Sequence, residues 1–376
     1  MDVMKHKKLL IFFPNCEQGG TERVISILSK YFNDDYELTL VTLCKNDLKY
    51  EYVSNRNIVI ENNFINKYEF KNKINRYVSW IKSTNSILEE IKPDIVLTFG
   101  EIPNFLVLLL KIFKKSKSKV IINIRNSESL FLEKAQFGSL IKLSMKYMYN
   151  KADLILTNSN GNKRDLIDHI YVRKNIEVVY NPVSIVNNLE KDEREKKRII
   201  NIGRLDKQKA QHYLLESFAK VKEQVEDVEL LIIGKGEREE ELKALTKQLK
   251  IENDVKFLGW QDNPFYWLQN SDVFVLTSLW EGMPNVVIES MACKCPVISF
   301  DCPSGPNEII NKPNENGILV EVGDVDKLTK DIVKVLSDDE YRQELSKSAY
   351  IRALDFEQSK IYSKFREKIE ECLNYE

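Results

Sequence analysis

Glu281 and Glu289 stand eight residues apart in a stretch that reads DVFVLTSLWEGMPNVVIESMACKCPVISFDCPSGPNEII over residues 272–310. Two carboxylates at such spacing can bind neighbouring hydroxyls or divide acid and base roles between them. A second group lies upstream in GRLDKQKA, residues 203–210, where Arg204 and Lys209 suit a diphosphate. Arg offers a planar fork to the oxygens and Lys a mobile point charge. A third, GGTER at residues 19–23, sets Gly19 and Gly20 before a helix start, where backbone can approach a phosphate or a sugar closely. Each has a plainer reading: loop solvation for Arg204 and Lys209, a ligand-free turn for the two glycines. GKGERE at 234–239 carries Glu239 where a dinucleotide fingerprint needs a third Gly, and it lacks the Gly-Lys-Ser/Thr ending of a nucleotidase phosphate loop. Gly234 and Gly236 there would serve a tight turn or a close backbone approach.

The elements that must position these groups follow from apolar patterning. Residues 272–277 are a short β-branched run, hence a buried strand, and 278–284 a polar turn with Gly and Pro. A helix over 286–292 and a strand over 296–300 come next. Glu281 is therefore expected at a strand's carboxyl end, over the N-terminus of the helix that carries Glu289. Such a helix start is a seat for an anion. Elsewhere, strands are expected at 8–13, 38–43, 92–100, 119–124, 153–157 and 176–179, with helices at 21–31 (capped by Thr21), 64–91, 103–113 and 139–150. A charge-rich stretch at 184–197 reads as a linker. Strands at 198–202, 228–233, 254–258 and 318–321 then alternate with helices at 209–225, 238–249, 263–269, 325–336, 339–350 and 358–373. This alternation implies parallel sheets covered on both faces. The expected architecture is α/β, two doubly wound domains with a cleft between facing strand ends. The bounds drawn are 1–183, a linker at 184–197, 198–350, and a closing helical segment 351–376 that packs back toward the first domain.

Composition narrows the class. The chain has 376 residues, is 43% hydrophobic and 30% charged, and carries no run of 18 apolar residues, so a spanning helix is not expected. The opening MDVMKHKKLLIFF puts basic residues before an apolar patch, but Pro14 ends that patch too early for a signal-peptide core, and a cytoplasmic location is expected. Among six cysteines, Cys293 and Cys295 are separated by a single residue, not the two of a redox or zinc pair, and with only three His no metal site is expected. Residues 1–190 carry 28 Lys and Arg against 21 Asp and Glu (+7), and residues 191–376 carry 28 against 36 (−8). A basic first half suits an anionic partner or surface, or is simply solvated. Residues 102–120 join an apolar helix to lysines 111, 114, 115, 117 and 119. They read as a segment that lies at a membrane surface or steers an anionic lipid carrier, or else as a buried helix before a solvated loop.

In this order, GRLDKQK at 203–209, GKGERE at 234–239, VKFLGW at 255–260, EGMPNVVIE at 281–289 and CPVISFDCPSGPNEII at 295–310 resemble family 4 of the retaining glycosyltransferases, which have the GT-B fold. In the first half the resemblance rests on GGTER. The DCPSGP variant and the basic first half most resemble members of bacterial surface-polysaccharide assembly, capsule included, often working on a polyprenyl-diphosphate carrier.

The resemblance implies two Rossmann-like domains facing across a cleft. It implies a retaining, metal-independent hexosyltransferase that moves a sugar from a nucleotide-diphosphate donor, taken as a UDP-sugar, to a glycan or lipid-linked acceptor. Arg204 and Lys209 would hold the donor diphosphate, with Gly203 in the same loop. Glu289 would bind the ribose hydroxyls and Glu281 would lie by the donor sugar. The backbone of Gly282, Met283, Pro284, Asn285 and Val286 would touch sugar and phosphate. Gly19 and Gly20 would approach the diphosphate from the other domain, and Lys256, Phe257 and Leu258 would bracket the base, mostly through backbone. No metal and no resident cofactor are implied, because the basic pair and a helix dipole neutralise the leaving diphosphate. The leaving phosphate itself would take the acceptor's proton, with attack on the face from which it departs. Many relatives carry a His after the fourth strand; IINIRNSES offers Arg125 instead, which would contact the sugar or a phosphate. No nucleic-acid partner is expected, and the basic first domain would touch the inner face of the cell membrane peripherally. Two other readings stand beside this one. A nucleotide-sugar epimerase on the same fold is disfavoured by the scarcity of His, and an inactive GT-B partner subunit by the complete set Arg204, Lys209, Glu281 and Glu289.

Overall fold

KLLIFF at 8–13 and VELLII at 228–233 are runs that a parallel sheet buries on both faces, and each lies inside one of two sheets. The structure, a computed structural model, describes residues 7–14, 19–43, 50–60, 70–114, 117–134, 137–185, 192–193 and 196–374. The chain divides into two units, Met1–Pro182 with Gln358–Glu376, and Val183–Glu357.

Along the first unit run β1 (Lys8–Phe13), α1 (Gly20–Asp35), β2 (Glu37–Thr42), β3 (Arg56–Val59), α2 (Phe70–Ile91), β4 (Ile95–Phe99) and α3 (Glu101–Lys114). Then come β5 (Lys119–Ile124), α4 (Glu128–Lys134), α5 (Gly138–Tyr149), β6 (Leu154–Thr157), α6 (Asn160–Asp168) and β7 (Ile176–Val178). The second unit opens with β8 (Lys197–Ile202), α7 (Gln211–Lys222), β9 (Val228–Ile233), α8 (Glu239–Gln248), β10 (Val255–Gly259) and α9 (Pro264–Gln269). It continues with β11 (Val273–Leu276), α10 (Asn285–Ala292), β12 (Val297–Phe300), α11 (Pro306–Ile309), β13 (Ile318–Val320), α12 (Val325–Ser337) and α13 (Asp339–Ala353). The last helix, α14 (Gln358–Asn374), belongs to the first unit.

The first sheet is parallel, in the order β3-β2-β1-β4-β5-β6-β7. Successive side chains of a strand face opposite ways, and both faces are covered. Leu9, Ile11 and Phe13 pack with Val24, Leu28 and Phe32 of α1 and with Ile361 and Phe365 of α14. Leu10 and Phe12 pack with Trp80 of α2, Leu106 and Val107 of α3 and Met148 of α5. The last helix is fastened to α1 by ring packing of Phe32 on Tyr362 (5.2 Å between centroids) and by Asp35, which accepts from the Tyr362 hydroxyl and lies 3.2 Å from Arg366 Nη1. Burial of Leu106, Val107, Leu108 and Leu110 makes α3 a core helix. Lys115, next to it in the sequence, lies outside the described residues.

The second sheet is also parallel, in the order β10-β9-β8-β11-β12-β13. Ile199, Leu230, Ile232, Val275 and Ile298 cover one face with Leu214 and Phe218 of α7 and Leu328 and Ile332 of α12. In each sheet the strand order reverses once, at β1/β4 and at β8/β11. Open α/β sheets take ligands at the carboxyl ends of the strands flanking such a switch point.

Several boundaries differ from the sequence expectation. Helix α1 is capped by Gly19, not Thr21, and runs on to Asp35. Helix α7 begins at Gln211, because Ala210 adopts a left-handed φ of 45°; Lys209 therefore stays in the loop. Strand β3 and the helices α4, α6 and α11 were not foreseen. The β3 sequence, RNIV, is largely exposed and gives no apolar alternation, so its pairing with β2 defines it. The α6 sequence is almost wholly polar; the Ser159 side chain caps it by accepting from Asn162 N at 3.1 Å. Parts of 184–197 are tied to the second unit: Asp192 pairs with Arg198 at 2.7 Å. The segment 351–376 divides, with 351–353 ending α13, a tight turn over Leu354–Phe356, and then α14. No helix of the described residues is long and apolar enough to cross a membrane.

Candidate active site

Strands β8 and β11 are parallel neighbours, with Ile199 beside Val273 and Ile200 beside Phe274, so the loops that leave their carboxyl ends emerge together. Those loops, 203–210 and 277–284, interlock through backbone. Leu279 N–H donates to Gln208 O at 2.8 Å, Gln208 Nε2 donates to Trp280 O at 2.8 Å, and Thr277 Oγ1 donates to Lys209 O at 3.0 Å. The lock sets Lys209 Nζ 2.5 Å from Glu281 Oε1, with the two side chains only 14% and 7% exposed. Arg204 stands outside this pair, 70% exposed, its Nη2 3.2 Å from Asp206 Oδ2 and 3.1 Å from Gln208 Oε1. The site thus offers one solvent-exposed guanidinium and one ammonium already held by a carboxylate.

Glycines permit the close packing of these loops. A Cβ on Gly203 would lie 3.4 Å from the Lys209 stem. Gly234, with φ +138°, would place a Cβ 1.9 Å from the Gly203 carbonyl oxygen, and Gly236 would place one 2.2 Å from that of Leu205. The GKGERE loop therefore supports the Arg204 loop by close backbone approach.

After β11, Glu281, Gly282 and Met283 lead to Pro284, the N-cap of α10, whose first residues are Asn285 and Val286. A helix start leaves its first amides without an acceptor inside the helix and carries partial positive charge. Glu289 sits buried in the same helix. The loop after β12 closes over this turn: the Pro303 carbonyl accepts from Glu281 N, and Gly305 packs against Pro284 and Gly282. Burial, and next the Glu281 carboxylate, push the Cys302 thiol up, so it stays neutral beside the pair. Sequence reasoning missed Gln208, Thr277 and Cys302. Their role is to lock and wall the loops, and only the strand neighbours reveal it.

Lys256 points elsewhere. Its Nζ lies 2.7 Å from Glu229, which also holds Arg198 at 2.7 Å, near the amino ends of β8 and β9. Phe257 packs against the core, while the Leu258 carbonyl accepts from Gln261 Nε2 and that of Gly259 accepts from Gly234 N. The backbone at the end of β10 thus adjoins the Gly234 loop, and the Lys256 head does not. Gly19, Gly20 and Arg125 belong to the first unit. Arg125 is buried; its Nη2 donates to Asn181 Oδ1 at 2.5 Å, and burial lowers it to about 10, partly offset by Glu22.

Two doubly wound parallel-sheet domains are the components of the GT-B architecture. A solved structure of Anabaena HepE in complex with UDP and glucose superposes with a TM-score of 0.80 at 18% identity, covering 97% of this chain and all of that one. The apo form of the lipopolysaccharide outer core galactosyltransferase WaaB gives 0.72 at 24% identity, over 96% and 99% of the two chains. Residues 18–186 match the family profile "Glycosyltransferase Family 4", and 186–352 match "Glycosyl transferases group 1". A Campylobacter jejuni relative, N-acetylgalactosamine-N,N'-diacetylbacillosaminyl-diphospho-undecaprenol 4-alpha-N-acetylgalactosaminyltransferase, is 31% identical over 367 residues, 94% of this chain and 97% of that one. The amylovoran biosynthesis glycosyltransferase AmsD of Erwinia amylovora is 24% identical over 96% of this chain and 99% of its own length. The chain belongs to glycosyltransferase family 4.

Proposed function

We propose that this glycosyltransferase moves a hexose from a UDP-sugar, with retention of configuration and without a metal or resident cofactor, to a glycan carried on polyprenyl diphosphate in the assembly of a surface polysaccharide such as a capsule. The observation that carries the reading is the Lys209–Glu281 pair beside exposed Arg204 at the β8/β11 switch point. Arg204 and Lys209 supply positive charge where a diphosphate leaves, and the α10 start adds its dipole. Glu281, held by Lys209, accepts from a donor-sugar hydroxyl, and Glu289 takes the ribose. The bond from the anomeric carbon to phosphate breaks, the acceptor oxygen bonds to that carbon, and its proton passes to the departing phosphate oxygen. The UDP of the HepE complex and the diphospho-undecaprenol in the Campylobacter relative's name support donor and acceptor classes respectively.

Arg204→Ala is expected to weaken UDP binding by about 1.5–3 kcal/mol, the worth of hydrogen bonds to a charged group, as read by calorimetry; unchanged affinity removes Arg204 from the diphosphate site. Incubating the chain with UDP-sugars and a lipid-linked acceptor, with products identified by mass, separates transfer from epimerised donor and from binding without turnover. Only transfer sustains the proposal.

For a peripheral membrane contact we propose the surface of α5, in addition to the lysine-rich segment after α3 that the sequence offers. Phe137, Leu140, Leu143 and Tyr147 on and just before α5 are 57–72% exposed. Lys142 and Lys146 sit over the ring of Tyr171, itself half exposed, and Lys151 sits over Tyr147. A short helix with exposed leucines between cations suits an anionic bilayer surface. Leu140→Glu with Leu143→Glu is expected to lower co-sedimentation with phosphatidylglycerol vesicles at least about tenfold while leaving UDP affinity intact. Undiminished sedimentation would remove α5 from the membrane-facing surface.

A further inference from the structure

Arg204 has a pinned backbone and an exposed head. Its carbonyl accepts from Gln211 Nε2 at 2.9 Å, and the next amide, Leu205 N, donates to Lys235 O at 3.0 Å. The guanidinium, 70% exposed, ends a long side chain with much rotamer freedom to lose when a ligand orders it. Two residues of the same loop restrain it through Nη2: Asp206 Oδ2 at 3.2 Å and Gln208 Oε1 at 3.1 Å. Those two restraints behave differently toward an anion.

Asp206 is a carboxylate, so it competes with a phosphate for the same cation. An ion pair this exposed is weak and yields to a more highly charged ligand. Gln208 is neutral, and its oxygen can stay on Arg204 while phosphate oxygens take other guanidinium donors. Its amide is also oriented. Nε2 donates to Trp280 O at 2.8 Å, a carbonyl that can only accept, while the guanidinium can only donate. One setting of the amide therefore satisfies both partners. The Gln208 main chain adds a further tie, its carbonyl accepting from Leu279 N at 2.8 Å. Trp280 directly precedes Glu281, so Gln208 links Arg204 to the loop that carries Glu281. A glutamate in its place would keep an acceptor for Arg204 but offer no N–H to Trp280 O. It would also add a carboxylate where Arg204 and Lys209 each already face one, Asp206 and Glu281.

We infer that Gln208 is a positioning residue for the donor diphosphate, its amide setting the Arg204 guanidinium in register with the Glu281 loop before the ligand arrives. The inference rests on the reading of Arg204 as a diphosphate contact. A double-mutant cycle on the full chain tests it by calorimetry, where the stoichiometry accounts for any unfolded fraction. UDP and, separately, inorganic pyrophosphate are the probes. Gln208→Ala is expected to weaken UDP binding about fivefold, the scale of one neutral hydrogen bond. In an Arg204→Ala background the same change should cost less than about twofold, because a residue acting through Arg204 has nothing left to position. Gln208→Glu should weaken UDP binding at least about tenfold, through the lost N–H and the added charge. Pyrophosphate should follow UDP in every variant. An equal Gln208→Ala loss with and without Arg204 would make Gln208 a brace of the loop and overturn the inference, as would wild-type affinity in either Gln208 variant. The two readings fail separately. Loss of affinity in Arg204→Ala without coupling to Gln208 keeps the diphosphate contact and sinks the positioning role. Coupling seen with pyrophosphate, but no binding of UDP, keeps the positioning role and counts against a UDP-sugar donor. Unchanged affinity for both probes in Arg204→Ala overturns the contact and the positioning role together.

Discussion

Lys209→Ala is expected to lower turnover with the proposed UDP-sugar donor by about 10²–10³, the loss typical of removing one preorganised charge-stabilising donor. The variant also loses stability, because Glu281 is 7% exposed and its carboxylate stood 2.5 Å from the missing ammonium. Breaking one side of a buried ion pair costs about 3–5 kcal/mol, so the urea midpoint should fall with activity. Combining Lys209→Ala with Glu281→Gln separates the two effects. Neutralising the orphaned carboxylate should restore most of the midpoint, since the remaining amide no longer needs a counter-charge. Turnover should stay at the single-variant level. A double variant that recovers both would reduce the pair to a structural brace and remove Lys209 from the chemistry.

Gly234→Ala should be as damaging without touching a charged group. The residue has φ +138°, a region that L side chains rarely enter, and its Cβ would stand 1.9 Å from the Gly203 carbonyl oxygen. The neighbour in the way is backbone, so the strain cannot be relieved by a rotamer change. Left-handed strain and overpacking together come to about 2–4 kcal/mol. Gly203 N–H donates to Ile233 O at 2.9 Å, so the β8 and β9 ends must separate and the Arg204 loop must move with them. UDP affinity should drop at least about tenfold beyond any unfolded fraction. A stable Gly234→Ala variant with native UDP affinity would show that the loop tolerates displacement and that GKGERE has some other task.

Local pattern carried much of this protein's description. Largely apolar runs located β1, β5 and β9 to the residue, because a strand covered on both faces must be apolar along most of its length. The loops bearing Arg204, Lys209 and Glu281 were legible for the same reason: each directly follows such a strand. Where burial is partial or the element short, local signal fades, as in β3 and α4. Lys256 shows another limit. Its place on a strand was clear, but which way its long side chain leans depends on Glu229, a carboxylate on the adjacent strand, and on the register between the two.

By itself the sequence determined the class of the fold, the strand–loop–helix units and the residue types each loop presents, since propensity and periodicity act over a few neighbours. Tertiary structure alone decided which loops meet. The β8/β11 pairing brings Lys209 to Glu281 across 72 residues, and the glycine at 234 lets a third loop press against the first. It decided, too, that burial pushes the Glu128 carboxyl up to about 8, because the desolvation that raises a carboxyl depends on everything packed around it.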